Sequence, residues 1–181
     1  MNGDQLALLV EELERDEGFR SRPYRDSKGY WTVGIGRLID KRRGGGLRPF
    51  EAERIFGRDG DSAMPRVLPY QDAPDLWQGR SLTYSEAVWL KGNDIADVLK
   101  DLDRFLPWWR GMSPVRQRAL ANMCFNMGIG TAARGLRSFR NTLAAMERGD
   151  YNAAANGMHE SKWAGQVGAR ADRLVAMMRK G

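Results

Sequence analysis

Hydrophobic residues recur at helical spacing along most of this chain, and the pattern breaks sharply once, near the N-terminus. In the stretch from Asp4 to Phe19, Leu6, Leu9, Val10 and Leu13 form one apolar stripe. That stripe predicts an amphipathic helix with Asp4 as N-cap and Gly18 just past its end. The period then shortens. Pro23-Tyr24-Arg25-Asp26, a Ser27-Lys28-Gly29 turn and Tyr30-Trp31-Thr32-Val33-Gly34-Ile35-Gly36 read as a β-hairpin, because the second arm is rich in strand formers. Alternation along that arm puts Thr32 on one face with Tyr30 and Gly34. Gly34 and Gly36 would leave the backbone there bare to a ligand.

Beyond the hairpin the pattern is almost wholly helical. Pro49 begins a short amphipathic helix over Phe50–Phe56, stopped by Gly57, and a connection rich in Gly, Pro and Asp runs over 57–82. A connection of that length is functional or mobile, and Tyr70 and Trp77 mark it as packing on a neighbour. Thr83-Tyr84-Ser85-Glu86 has the spacing of a capping box and opens a long helix toward Phe105, with Val88, Ile95, Leu99 and Leu102 inward. Ser113 and Pro114 start the next helix, which Gly128 stops. Its run of Ala119, Leu120, Met123, Cys124 and Met127 reads as core, leaving Phe125 and Asn126 as the candidates to face a cleft. Further helices follow over 138–149, after an Asp150 cap, and over about 167–179. The last has Val167, Leu174, Val175 and Met178 on one face and arginines on the other.

Composition narrows the class of molecule. The chain has 181 residues, 42% of them hydrophobic, enough for a real core in one domain or two small lobes. The run Leu6–Val10 is too short and too acidic at its flanks for a signal peptide or a membrane span. A lone Cys124 excludes an intramolecular disulfide and fits a reducing compartment; its apolar setting marks it as a structural thiol. The net charge of +6 is uneven: acids dominate residues 1–20 and bases dominate 162–181. A basic face of that kind suits a polyanion. Lys41-Arg42-Arg43-Gly44-Gly45-Gly46 lacks the ending of a phosphate-binding loop, and no nucleic-acid motif accompanies it, so it reads as a solvated connector.

The candidate chemistry lies where the helical pattern breaks. Glu17 falls on the last turn of the first helix, where the dipole disfavours its anion and suits a proton donor. Asp26 falls at a turn, and Thr32 on the strand after it. Two carboxyl groups in different surroundings supply an acid and a base, and a hydroxyl between them fixes a water. Taken singly, each has an ordinary structural reading: a solvated helix-end charge, a turn residue, a strand residue. The combination with Tyr24, the Lys-Gly turn and the Gly-Ile-Gly stretch is much rarer.

That combination resembles the phage-type lysozymes, endolysins of glycoside hydrolase family 24. Their signature is a Glu, eight residues, an Asp or Cys, five residues and a Thr, and Glu17, Asp26 and Thr32 match it position for position. The stretch from Arg118 to Gly128, Phe139–Leu143, Ser161-Lys162-Trp163 and Arg170-Ala171 are also similar to the family, in family order. Arg37 departs from it: it stands where the family usually has His, so a permanent cation replaces a titratable group. Asn126 stands where a longer amide is found.

The resemblance implies an α+β, mostly helical, lysozyme-like fold in a single catalytic domain over 1–181. A small lobe (about 14–82) carries the hairpin. A linking helix (about 84–105) joins it to a larger helical lobe (about 106–181, with the N-terminal helix), and the cleft lies between. It also implies a hydrolase that cuts the β-1,4 bond between N-acetylmuramic acid and N-acetylglucosamine in peptidoglycan. Glu17 would be the general acid, Asp26 the base and Thr32 the holder of the water. Leu38, Phe125, Asn126, Phe139, Asn141 and Thr142 match cleft-lining or substrate-binding positions, and Arg170 matches a cation near the acid. No metal or cofactor is expected. The expected partners are glycan strands and, through the basic C-terminal helix, anionic envelope polymers; nucleic acid, stable membrane insertion and oligomers are not expected. Synthesis in a host cytoplasm with holin-type release to the wall is implied. The alternatives are lytic transglycosylation of the same bond and a non-catalytic wall- or polyanion-binding protein.

Overall fold

Asn2 rather than Asp4 begins the first helix, α1 (Gly3–Glu17). The Asn2 carboxamide oxygen accepts the Gln5 amide at 3.0 Å, satisfying a donor that the first helical turn leaves without a partner. The helix ends as the sequence predicts: Gly18 takes a positive φ of 68° and its amide bonds Glu14 O at 2.7 Å. The computed structural model describes residues 1–26, 28–43 and 82–181. The helix expected over 50–56, most of the connection over 57–82 and Gly44–Gly46 lie outside those residues.

The expected hairpin is a three-stranded antiparallel sheet, ordered β1 (Arg20–Arg25), β2 (Tyr30–Gly34), β3 (Arg37–Arg43). The strand expected to run through Gly36 stops at Gly34. There and at Gly36 the backbone enters the left-handed region (φ 64° and 72°), so Ile35-Gly36 turns the chain back instead of extending it. The backbone of Lys41–Arg43, expected as a connector, is therefore part of a strand. Pro23 is tolerated because β1 is at the sheet's edge. Thr32 pairs with Tyr24 on one side and Leu38 on the other. Irregularities around Trp31 break the simple alternation expected along β2.

Among the described residues seven α-helices surround this sheet in sequence. The second, α2 (Tyr84–Phe105), opens with the predicted capping box: Thr83 N reaches Glu86 Oε2 at 2.7 Å and Glu86 N reaches Thr83 Oγ1 at 3.2 Å. Of the inward positions expected on it, Ile95 and Leu102 are buried, whereas Val88 and Leu99 are half-buried. A short 3-10 turn (Pro107–Gly111) leads to α3 (Pro114–Met127), capped by Ser113 and ended by Gly128. After a second 3-10 turn (Leu136–Ser138) come α4 (Arg140–Glu147), α5 (Tyr151–His159), α6 (Lys162–Val167) and α7 (Ala169–Lys180). Ser138 does not cap α4; its hydroxyl turns back to Gly135 O at 2.7 Å. Asp150 does cap α5, accepting Ala153 N at 3.0 Å. The expected final helix is broken at Gly168 (φ 53°), which leaves Val167 on α6.

The chain forms two compact units: Leu13–Asp94, and Met1–Glu12 with Ile95–Gly181. Each boundary falls inside a helix, α1 for one and α2 for the other. Among the described residues of the sheet unit the buried apolar ones are Leu13, Val33, Ile35, Ile39, Leu82, Ala87 and Leu90. Polar links fasten it as well. Leu82 N bonds Ser21 O at 2.8 Å. Arg37, the departure noted above, reaches Asp94 Oδ1 at 2.9 Å and Leu90 O at 3.3 Å, tying β3 to α2. The helical unit packs Leu102, Trp109, Leu120, Met123, Met146, Met158 and Leu174 out of solvent. Cys124 lies in that core. Burial, followed by the charge of Asp101, pushes its thiol up to about 12, which keeps it protonated and inert.

Candidate active site

The expected catalytic residues all fall in the sheet unit, and the local fold accounts for each. Glu17 is the last residue of α1. Its side chain lies against Gly36, so closely that a Cβ at Gly36 would stand 2.9 Å from Glu17 Cγ and 3.0 Å from Oε2. The bare glycine thus makes room for the acid, not for a ligand. Gly34 is also occupied: a Cβ there would meet Ala87 Cβ at 3.3 Å and Leu82 Cδ1 at 3.6 Å. The expectation that both glycines expose open backbone is corrected in both cases, since each is filled by the protein's own side chains.

Asp26 closes β1 and organises the turn. Its Oδ1 accepts Lys28 N at 2.9 Å and Tyr30 N at 2.8 Å, while its amide donates to Tyr30 O at 2.9 Å. One carboxylate oxygen is therefore committed to the backbone, and among the described residues Oδ2 receives no hydrogen bond. Thr32 is only 4% exposed. Its hydroxyl donates to Tyr30 O at 3.4 Å, which leaves the oxygen lone pairs to act as acceptors. Directly opposite pairs share a face of the sheet, so Tyr24, Thr32 and Leu38 form one row across the three strands. Leu38 is 46% exposed, an apolar surface at the edge of that row.

Tyr24 is the residue the sequence reading left out of the site. Burial raises its phenol above the usual range, the Glu17 carboxylate adds to that, Arg20 opposes it, and Asp26 adds a smaller upward push. The phenol therefore lies within electrostatic reach of both carboxyl groups, and it stays protonated. The Arg20 guanidinium covers its ring at 4.3 Å. A signal was present: Tyr24 is two residues before Asp26, where strand alternation returns to the same face.

The other expected contacts lie in the helical unit. Phe125 and Asn126 are half-buried on α3. Asn126 Oδ1 accepts the Trp163 indole N–H at 2.9 Å, and Trp163 meets Phe139 edge-on with ring centres 6.3 Å apart. Trp163 thus connects two expected residues and was itself missed as a member of the group. Phe139, Asn141 and Thr142 line a cavity of about 410 Å³ with Ser138 and Arg140. Thr142 Oγ1 rests on Gly157, where a Cβ would stand at 2.4 Å, so only glycine fits beneath it. Arg170 is 5% exposed and turned inward, donating from Nε to Asn122 Oδ1 at 2.8 Å. It holds α7 to α3 and does not line the cavity. Farther along α7 Arg179 stays exposed and bonds Asn156 Oδ1 at 2.8 Å.

Among the described residues no helix is long and apolar enough to cross a membrane. The model of the family described as phage lysozyme matches residues 14–180. The pre-baseplate central spike protein Gp5 of Enterobacteria phage T4 is 33% identical over 177 residues, which is 96% of this chain and 28% of that protein. Probable T4-type lysozyme 1 of Dictyostelium discoideum is 25% identical, and the match covers 97% of this chain and 96% of that protein. A peptidoglycan hydrolase, gp36 of Pseudomonas phage phiKMV, is 25% identical over 98% of this chain and 17% of its own length.

Proposed function

The chain belongs to the phage lysozyme family, and from that membership we propose that it hydrolyses bacterial peptidoglycan at the β-1,4 bond between N-acetylmuramic acid and N-acetylglucosamine. What supports this reading is that the Glu17 side chain lies against Gly36 of the sheet whose first turn Asp26 organises and whose central strand holds Thr32. Glu17 donates a proton to the glycosidic oxygen as the bond breaks. Asp26 accepts a proton from water through Oδ2, since Oδ1 is held by the Lys28 and Tyr30 amides. Thr32, with its proton spent on Tyr30 O, receives the second hydrogen of that water. Water attacking from the face opposite the leaving group inverts the anomeric centre, the course expected when the carboxyl groups stand about 6.5–9.5 Å apart. Exposed Leu38, in the row with Thr32, supplies apolar surface for a sugar ring.

Purified peptidoglycan digested by the protein tests this. Hydrated reducing ends in the product masses support hydrolysis. Anhydro ends would replace it with lytic transglycosylation, a reaction that leaves Asp26 and Thr32 without a task. Sedimentation with the wall but no soluble fragments would leave only a binding protein. The Glu17→Gln and Asp26→Asn variants should fold and lose lysis; a fully active Glu17→Gln protein would end the proposal.

A further inference from the structure

The acid–base scheme gives the attacking water two acceptors, Asp26 Oδ2 and Thr32 Oγ1, and no donor. A water with both hydrogens engaged has two lone pairs left: one attacks carbon, and the other must be held if the direction of attack is to be fixed. Tyr24 is the group placed to hold it. It faces Thr32 across the β1–β2 ladder and precedes Asp26 by two residues. Arg20, stacked on its ring at 4.3 Å, restrains its orientation. Its hydroxyl makes no hydrogen bond to another described residue.

The geometry points to Tyr24 as a positioning residue, whose O–H donates to the water that Asp26 activates. This rests on the assignment of Glu17 and Asp26 given above. A phenol beside two carboxyl groups serves as a donor only while it keeps its proton. Burial and the Glu17 charge both favour that state, against the opposing Arg20 and with the smaller help of Asp26. The proton of Tyr24 is not transferred; the water gives one proton to Asp26 and its oxygen to the sugar.

Tyr24→Phe keeps the ring and its cation contact and removes only the donor. On soluble peptidoglycan oligomers kcat should fall about tenfold to a hundredfold, the worth of one hydrogen bond in a charged setting. KM should stay within about twofold, because the contact belongs to the chemical step. The unfolding midpoint should match that of the unaltered protein, whereas Tyr24→Leu, which loses the ring, should lower it as well. Unaltered kcat in Tyr24→Phe, or a loss confined to KM, overturns the role. So does a loss of kcat matched by a lowered unfolding midpoint. If Glu17→Gln is inactive while Tyr24→Phe is fully active, only the Tyr24 role falls. If Glu17→Gln is active, the underlying acid–base reading falls and takes this role with it.

Discussion

The sheet unit and the helical unit are each stabilised internally by different means, and under the proposed function that difference separates chemistry from stability. The helical unit is an apolar core, with Trp109, Leu120, Met146 and Leu174 wholly out of solvent. The described part of the sheet unit relies more on directed contacts. These are the Asp26 turn, the Thr83–Glu86 box, the Arg37–Asp94 pair and two glycines whose missing side chains admit Glu17 and Ala87. Directed contacts fix the orientation of a few groups at little cost in area. That is what an acid, a base and a water need, since small displacements of reacting groups cost large factors in rate. Substitutions in the sheet unit should therefore damage catalysis more than folding, and those in the helical core the reverse.

The largest separation should come from Glu17→Gln and Asp26→Asn. Each should reduce the rate of peptidoglycan cleavage by about a hundredfold to ten-thousandfold, with an unfolding midpoint close to that of the parent. On the other side, Leu120→Ala should cost about 2–5 kcal/mol in denaturant unfolding while kcat and KM, measured well below the transition, stay as they were. A kcat loss in Leu120→Ala beyond that explained by the unfolded fraction would break the comparison.

Arg37→Ala should destabilise by about 1–3 kcal/mol, because the half-buried Asp94 carboxylate loses a charge-assisted bond. Gly36→Ala and Gly149→Ala sharpen the contrast further. Both glycines have positive φ, so each change carries about 1–2 kcal/mol of backbone strain. Only at Gly36 does the new methyl meet Glu17; nothing lies within 4 Å of the corresponding point at Gly149. Gly36→Ala should thus lose kcat, and Gly149→Ala should keep it.

The smallest effect is a matter of pH. The Arg110 side chain, with help from the Trp109 indole, holds the Asp103 carboxyl below its usual 3.8. A depressed folded-state value stabilises the protein above the unfolded value and is lost as pH falls through the folded one. Asp103 is largely exposed, so solvent screens the gain. The unfolding midpoints of the parent and Asp103→Asn should differ slightly near neutral pH and converge in strong acid.

The helical unit was largely legible because its signals are local. Ser113-Pro114, Gly128 and Asp150 mark ends by chemistry confined to one turn, and the structure places those ends accordingly. Where the reading failed, a competing local contact had won. Asn2 replaced Asp4 as the first cap, Ser138 bonded Gly135 in place of an amide of α4, and Gly168 split the last helix. In the sheet unit the spacing of Glu17, Asp26 and Thr32 was visible, but the third strand was not. Gly34 and Gly36 fit an open strand as readily as a turn until the side chains that fill their space are known. Tyr24 and Trp163 were missed for a related reason. Their importance lies in partners distant in sequence, Glu17 and Thr32 for one, Asn126 and Phe139 for the other.

The most direct test is the configuration of the first product, read by proton NMR within the opening minutes of digestion, before the anomers equilibrate. A base on one side of the sugar and an acid on the other should release the reducing end as the α-anomer. Release as the β-anomer, or as an anhydro sugar, would contradict the division of labour between Glu17 and Asp26.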